Sequence, residues 1–301
     1  MSAGGRVTAG PVTIGSLTLR NAVMTASGTA GYGTELAGYL DLSALGAVVV
    51  KSLAAYEWAG NPAPRLHPTP SGMLNAVGLQ GPGVPYWLEH VLADLLRTGA
   101  TVVASIWGRS VDEFARAADL LDGAPPEVVA VEVNLSCPNL DHGATMFAHD
   151  ADQSAAVIAA TVGCGRPRWA KLSPNTDRVV EVAGAVAGAG AEALTCVNTL
   201  LGLALDPRTG RSALGAGGGG LSGRAIHPVA VRVVHDVHAA LPDVPIVGVG
   251  GVATGWDAAE LLLAGATAVQ VGTATFADPR APVNVLDELQ ALSRYQGTAV
   301  T

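Results

Sequence analysis

The sequence predicts an α/β protein folded as one (β/α)8 (TIM) barrel. Eight short apolar segments occur within about 250 residues, the usual size of this fold, and each is followed by a segment of helical period. The apolar segments are continuous runs of Val, Ile and Ala, which is typical of parallel strands covered on both faces. Their number and even spacing favour a closed barrel over an open doubly wound sheet.

A β-hairpin is predicted ahead of the first unit, because PVTIG (11–15) and SLTLR (16–20) alternate around Gly15. Helical period follows the strands, as in VDEFARAADLL (111–121) and TGWDAAELLLAG (254–265). The eight predicted strands are VMTASG (23–28), AVVVKS (47–52), TVVASIW (101–107), VVAVEVNLS (128–136), WAKLS (169–173), LTCVNT (194–199), PIVGVGG (245–251) and AVQVGTA (268–274).

Two connections are longer than simple strand-to-helix loops: residues 53–83 and residues 200–224. Long loops in a compact domain are commonly functional, and both follow strands, so we expect them over the carboxyl-terminal face of the barrel. The glycine-rich run at 215–220 is interpreted as a flexible loop. Composition does not shift along the chain, which predicts a single domain over residues 1–301.

Composition excludes several classes of protein. The chain has 49% hydrophobic and 14% charged residues, ample for a core, and its net charge of −8 with no basic stripe argues against nucleic-acid binding. Its three widely spaced cysteines form no C-x-x-C pair, so neither a disulfide framework nor a metal or iron–sulfur site is predicted. Without a signal-peptide pattern or a run of about 18 apolar residues, we expect a cytoplasmic protein that does not enter a membrane.

Polar residues collect where the predicted strands end, and barrel active sites lie at those carboxyl ends. Two lysines, a thiol and three amides on one rim are hard to explain as packing. The residues are Ser27, Lys51, Ser52, Ser105, Asn134, Cys137, Asn139, Lys171, Asn198, Thr199, Gly250, Gly251, Gly272 and Thr273.

These residue types suggest a ligand. GVGG (248–251) and VGT (271–273) follow strands seven and eight, the usual phosphate site of this fold, and their small residues let the backbone approach an anion. The lysines suit anionic groups, and the asparagines suit a planar, amide-rich ring. Cys137 would serve as a nucleophile or a proton acceptor, and its thiol is expected to ionise near pH ~8.5.

The motifs resemble, in order and spacing from about residue 11 to about residue 280, the class 1 dihydroorotate dehydrogenases. The segment 201–223 (LGLALDPRTGRSALGAGGGGLSG) most resembles class 1B, a catalytic subunit that works with a separate electron-transfer subunit. The motifs that carry the resemblance are MTASGTAGYG, VVVKS, GMLNAVGLQGPG, NLSCPN, AKLSPN, VNTLLGLALD, GGGLSG, VGVGG and AVQVGTA.

The resemblance implies FMN-dependent oxidation of (S)-dihydroorotate to orotate in de novo pyrimidine (UMP) biosynthesis. Cys137 would remove the C5 proton while hydride leaves C6 for the flavin N5. Electrons would reach NAD⁺ through a partner subunit carrying FAD and a [2Fe–2S] centre, within a heterotetramer built on a homodimer of this chain.

The resemblance also implies which residues bind each ligand, with Lys171 near the N1–C2 edge of the flavin. The substrate would contact Lys51, Asn75, Ala76, Val77, Gly78, Leu79, Asn134, Asn139, Asn198 and Thr199. FMN would contact Ser27, Lys51, Ser52, Ser105, Asn134, Lys171, Val197, Gly223, Gly250, Gly251, Gly272 and Thr273.

This chain departs from the family at Ser105 and Gly81, where asparagine is usual. We expect a weaker contact to FMN from the first change and a more mobile loop from the second. His142, five residues beyond Cys137, is interpreted as a lid residue, and Cys164 and Cys196 as core residues.

Three alternatives stay open at the level of sequence. A Schiff-base aldolase could use Lys171 on the same fold. A tRNA dihydrouridine synthase also pairs FMN with a catalytic cysteine, but it would need an RNA-binding domain and a basic surface. A dihydropyrimidine dehydrogenase module would act on uracil or thymine, whereas Lys51 as a carboxylate partner favours dihydroorotate.

Overall fold

A computed structural model of the protein describes residues 7–139 and 145–298. The strands in chain order are β1 (Val12–Ile14), β2 (Leu17–Leu19), β3 (Val23–Thr25), β4 (Val48–Val49), β5 (Leu66–Thr69), β6 (Gly72–Asn75), β7 (Val102–Ile106), β8 (Val128–Asn134), β9 (Pro138–Asn139), β10 (Thr145–Met146), β11 (Arg168–Lys171), β12 (Ala193–Cys196), β13 (Leu200–Gly202), β14 (Gly219–Ser222), β15 (Ile246–Val249) and β16 (Ala268–Val271).

The helices alternate with the strands of the central sheet. They are α1 (Val84–His90), α2 (Leu92–Arg97), α3 (Val111–Asp119), α4 (Ala151–Ala160), α5 (Val179–Gly188), α6 (His227–Ala240), α7 (Gly255–Leu263), α8 (Ala274–Ala277) and α9 (Ala281–Thr298).

Eight parallel strands form the predicted barrel, in the order β3-β16-β15-β12-β11-β8-β7-β4. The barrel closes between its first two strands, because Met24 pairs in parallel with Ala47 and the Gly46 N–H donates to the Val23 carbonyl at 2.8 Å. The strands are shorter than the predicted segments. Some of the polar residues at the carboxyl ends, such as Asn134 and Lys171, are the last residues of their strands, and others, such as Lys51, follow a strand.

Local signals explain where the helices begin. Ser110 precedes α3, and its hydroxyl accepts the Glu113 N–H at 3.2 Å, a side-chain N-cap. Thr254 and Asp257 form a capping box at the start of α7. Residues at spacings of three and four along α3, such as Phe114 and Ala117, are buried against the barrel.

The predicted hairpin closes the amino-terminal end of the barrel. β1 and β2 pair antiparallel around Gly15, and their apolar residues form one cluster with inward residues such as Ala130 and Trp169. Successive inward positions on a strand are two residues apart. The next inward positions on β8 and β11 are therefore Glu132 and Lys171, so the lower interior of the barrel is apolar and the layer above it is polar.

The two long connections are not loops without structure. They contribute a four-stranded antiparallel sheet in the order β13-β14-β6-β5. The expectation that 215–220 is a flexible loop is wrong for Gly219 and Gly220, which lie in β14. A Cβ at Gly219 would lie 2.5 Å from the Asn75 carbonyl oxygen, and one at Gly220 would lie 2.1 Å from Thr199 Oγ1. The glycines permit close strand pairing rather than flexibility.

None of the helices in residues 7–139 and 145–298 has both the length and the hydrophobicity needed to span a membrane.

Candidate active site

One cavity of about 400 Å³ lies at the carboxyl ends of the barrel strands, beneath the antiparallel sheet. Most of the residues predicted for the site line it. They are Ser27, Lys51, Asn75, Ala76, Val77, Gly78, Leu79, Asn134, Lys171, Val197, Asn198, Thr199, Gly223, Gly250, Gly251, Gly272 and Thr273.

Two of the predicted serines lie behind this lining. The Ser52 hydroxyl is 3.2 Å from that of Ser27 and 2.9 Å from that of Ser105. Ser105 is fully buried and lines no part of the cavity. A serine at position 105, where the family usually has asparagine, therefore affects the cavity only through its contact with Ser52.

The asparagine amides are held in defined orientations. Asn134 Nδ2 donates to Ser52 Oγ at 3.4 Å, and Asn134 Oδ1 accepts from Asn198 Nδ2 at 3.0 Å. Asn198 Oδ1 in turn accepts the Thr199 N–H at 2.9 Å. Asn75 Nδ2 donates to the Gly220 carbonyl at 3.2 Å, which ties the lining to the covering sheet. The amides form a preorganised set for a ring with its own donors and acceptors.

Both lysines of the chain line this cavity: the sequence contains 2 lysines against 15 arginines. Lys51 Nζ lies 5.9 Å from the centroid of the Tyr32 ring. Burial, together with repulsion from Arg65, lowers the pKa of Lys51 to about 8. Burial followed by the nearby Glu35 carboxylate raises the pKa of Tyr32, which keeps its phenol neutral.

Lys171 belongs to a buried polar network that the sequence-based prediction missed. Its Nζ lies 3.2 Å from Glu132 Oε1, and Glu132 is fully buried. Gln270 Nε2 donates to Glu132 Oε2 at 2.7 Å. The signal was present in the sequence, because Glu132 and Gln270 each interrupt an otherwise apolar strand. Lys171 itself is also buried.

The glycine turns after β15 and β16 meet at one end of the cavity. Gly251 has φ +71°, and a Cβ there would lie 2.7 Å from His227 Cβ and 2.9 Å from the Gly223 carbonyl oxygen. His227 Nδ1 lies 2.8 Å from the Gly250 carbonyl oxygen. Backbone can approach a ligand closely here because side chains are absent, which fits an anion-binding cradle.

Cys137 does not line the cavity in this structure. Its side chain is fully buried in the core, and Sγ donates to the Asn134 carbonyl at 3.2 Å. Burial raises the pKa of Cys137, offset in part by the Gly108 N–H. The expectation that this thiol ionises near pH ~8.5 is therefore wrong for this conformation. Cys164 and Cys196 are buried as expected, and burial raises the pKa of Cys196 to about 12.

Two predicted residues lie wholly or partly outside the described part of the structure. The Asn139 backbone pairs with Thr145 between β9 and β10, but its side chain lies outside the described part of the structure. His142 also lies outside the described residues. Beside Cys137, Ser136 lines the cavity, and its hydroxyl is buried without a hydrogen-bond partner among the described groups.

Gly81, the second departure from the family pattern, has a packing role. It exchanges backbone hydrogen bonds of 2.8 and 2.9 Å with Trp58. A Cβ at Gly81 would lie 2.4 Å from the Tyr32 hydroxyl oxygen, which donates to the Gln80 carbonyl. The missing side chain makes room for Tyr32, the residue whose ring lies beside Lys51.

The family model for dihydroorotate dehydrogenase matches residues 11–292 of the chain. A protein of Trichlorobacter lovleyi named dihydroorotate dehydrogenase B (NAD(+)), catalytic subunit, is 46% identical over 289 residues, which are 96% of this chain and 94% of that protein. Proteins of the same name from Desulforudis audaxviator and Geobacter sulfurreducens are 47% and 45% identical, over 95% and 96% of this chain and 93% and 94% of their own lengths.

Proposed function

The chain belongs to the dihydroorotate dehydrogenase family, and on that premise we propose that it oxidises (S)-dihydroorotate to orotate with FMN, as the catalytic subunit of an NAD⁺-linked enzyme of pyrimidine biosynthesis. The observation that supports this best is the composition of one cavity. It combines a glycine cradle, both lysines of the chain and a set of oriented amides.

The residues present fit FMN. The backbone of Gly250, Gly251, Gly272 and Thr273 would hold its phosphate, since these residues line the cavity and a Cβ at Gly251 would displace the backbone by its clash with His227 and the Gly223 carbonyl. Ser27, Lys171, Val197 and Gly223 would surround the ring, supported from behind by Ser52 and Ser105. Bound FMN supplies an acceptor for the hydride that leaves the substrate.

The remaining lining residues suit dihydroorotate. The Lys51 ammonium would pair with the substrate carboxylate, and the amides of Asn75, Asn134 and Asn198 would hold the ring. The backbone of residues 76–79, together with Asn139 and Thr199, would complete the contacts. Cys137 would take the C5 proton, and its Sγ lies 3.2 Å from the carbonyl oxygen of Asn134, a residue that lines the cavity.

The site argues against the alternatives. A Schiff-base aldolase needs a lysine whose amine is free to attack, whereas Lys171 Nζ is engaged with Glu132 at 3.2 Å and with Gln270 at 3.5 Å. A module acting on uracil or thymine has no carboxylate to pair with Lys51, so a buried cation there would be unexplained.

The relatives are named as catalytic subunits of an NAD(+) enzyme, so a separate partner subunit is implied. We place FAD and a [2Fe–2S] centre on that partner, because the three cysteines of this chain are all free and lie far apart in the sequence. The proposed assembly is a homodimer of this chain flanked by two partner subunits, in the cytoplasm.

Reconstitution tests the proposal directly. The purified chain should be yellow, or should become yellow with added FMN, and dihydroorotate should bleach the flavin under anaerobic conditions while dihydrouracil should not. The chain alone should reduce artificial dyes and not NAD⁺, and adding the partner should restore NAD⁺ reduction. A chain that takes up FMN but is bleached only by dihydrouracil would contradict the assignment of substrate.

Orotate binding should weaken as pH rises through about 8, the pKa of Lys51 in the ligand-free protein. Below that pH Lys51 is an ammonium and pairs with the carboxylate. Above it the amine is neutral, so affinity should fall by about tenfold per pH unit. The measurement is the flavin difference spectrum titrated with orotate between pH 6.5 and 9.5, with Lys51→Met as control. The control should bind weakly and without this inflection, and the same inflection in both proteins would assign it to another group.

A further inference from the structure

Glu132 is a fully buried carboxylate to which the proposed reaction assigns no role. It lies on β8 in the interior of the barrel, and its contacts come from Lys171 on β11, Thr195 on β12 and Gln270 on β16. Four strands thus contribute one polar residue each to a single layer. Burying a carboxylate costs free energy unless it is paired and hydrogen-bonded. The three donors around Glu132 supply these interactions.

The hydrogen bonds of the layer have only one consistent arrangement. A carboxylate can only accept, so each neighbour must donate: Lys171 to Oε1 at 3.2 Å, Thr195 to Oε2 at 3.2 Å and Gln270 Nε2 to Oε2 at 2.7 Å. With its amide nitrogen on Glu132, Gln270 turns its carbonyl oxygen toward Lys171 Nζ, 3.5 Å away. Lys171 therefore contacts two acceptors: Glu132 itself, and the Gln270 carbonyl oxygen, whose orientation Glu132 fixes.

Lys171 is the one of these four residues that reaches the cavity. Lys171 lines the cavity, whereas Glu132, Thr195 and Gln270 are fully buried beneath it. An ammonium has three N–H donors, and two are directed at Glu132 and Gln270. Within residues 7–139 and 145–298 no acceptor takes the third, which is therefore directed to a ligand above.

We propose that Glu132 is a positioning residue that holds the Lys171 ammonium, through Gln270 as well as directly, so that its charge and its remaining N–H face the cofactor ring. The inference rests on the proposed function in one respect, that FMN occupies the cavity. A fixed positive charge beside the ring would stabilise the negative charge of the reduced flavin.

Glu132→Gln breaks this arrangement without changing its shape. In one orientation the new amide nitrogen would face Lys171 Nζ, and in the other it would face Gln270 Nε2, donor against donor in either case. If Gln270 flips to relieve this, its own amide nitrogen faces the Lys171 ammonium instead. The double exchange Glu132→Gln/Gln270→Glu repairs both defects, because the carboxylate at 270 accepts from the amide at 132 and from Lys171.

Three measurements on FMN-loaded protein test the proposal, two of which need no dihydroorotate. The flavin midpoint potential, from anaerobic titration with a reference dye, should become more negative in Glu132→Gln and return in the exchange variant. Loss of the Glu132 charge alone would make the potential more positive, so a more negative value reports that the Lys171 ammonium is no longer held beside the ring. With only two lysines, ¹⁵N-lysine protein gives at most two side-chain signals. The Lys171 signal should be lost in Glu132→Gln and regained in the exchange. Flavin reduction by dihydroorotate should fall roughly 10–100-fold and recover.

A matched control is Glu113→Gln, which neutralises the carboxylate of another ion pair, 2.8 Å from Arg109, whose residues do not line the cavity. It should leave the potential unchanged.

If Glu132→Gln does not fold, Gln270→Met removes one acceptor of Lys171 and should shift the potential in the same direction by less. An unchanged or more positive potential in the Glu132 variant, or a folded exchange variant that stays defective, would overturn the proposal. A wild-type protein that holds FMN but is not reduced by dihydroorotate would instead refute the proposed function.

Discussion

Cys137→Ser is expected to slow flavin reduction by dihydroorotate roughly 10²–10⁴-fold, the usual effect of losing a general base. Serine has nearly the size of cysteine but is a far weaker acid, so it cannot take up the C5 proton at neutral pH. FMN and orotate should bind almost as in the wild type, because neither the glycine cradle nor the lysines and amides are altered. Anaerobic stopped-flow bleaching of the flavin measures the effect.

The pH profile of the same reaction carries independent information. Because burial raises the pKa of Cys137, only a small fraction is thiolate at neutral pH, and the wild-type rate should keep rising beyond pH ~8.5 without levelling there. Cys164→Ser is the matched control, since Cys164 is also a buried free thiol but lies outside the cavity. It should react like the wild type. A Cys137 variant that bleaches at the wild-type rate near neutral pH would remove this residue from the mechanism.

Gly251→Ala should abolish FMN retention, the second large effect. The new Cβ would lie 2.7 Å from His227 Cβ and 2.9 Å from the Gly223 carbonyl oxygen, so the backbone of the cradle has to move. The substitution also places a side chain at φ +71°, a conformation that favours glycine. Apparent FMN affinity, measured by quenching of flavin fluorescence on titration, should fall by at least tenfold.

Gly210→Ala separates the two causes. Gly210 has almost the same backbone conformation, φ +68°, but nothing lies within 4 Å of its Cβ position and it does not line the cavity. This variant carries the conformational cost alone and should retain FMN. Equal loss of FMN in both variants would mean that the cradle at Gly251 is not the phosphate site.

The barrel was predictable because its signal is local. Continuous apolar strands and the helices between them can be recognised within short windows, and the hairpin around Gly15 turns where expected. The antiparallel sheet over the cavity was not predictable in this way. Its central pairing joins β14 to β6, with Gly220 opposite Asn75, so it depends on contacts between distant segments. The glycines that permit the pairing look like loop residues in sequence.

The candidate site also contains residues that local sequence identifies and residues that only distant contacts define. Residues at strand ends, such as Lys51 and Asn134, could be found because the fold brings all carboxyl ends together. The relation between Glu132 and Gln270 could not, since β8 and β16 face each other only once the eight strands have closed into a barrel. The acidity of Cys137 also escaped prediction, because it depends on how deeply the thiol is buried.

The confinement of both lysines to one cavity changes how the protein responds to covalent labelling. Reagents that acylate primary amines usually modify lysines scattered over a protein surface, but all the side-chain cations outside this cavity are arginines or histidines. Apart from an α-amino group, such a reagent finds its targets only in this cavity. Immobilisation or dye attachment through amines therefore competes with ligands that bind in this cavity. The number of labels incorporated with and without orotate measures how far orotate occupies it.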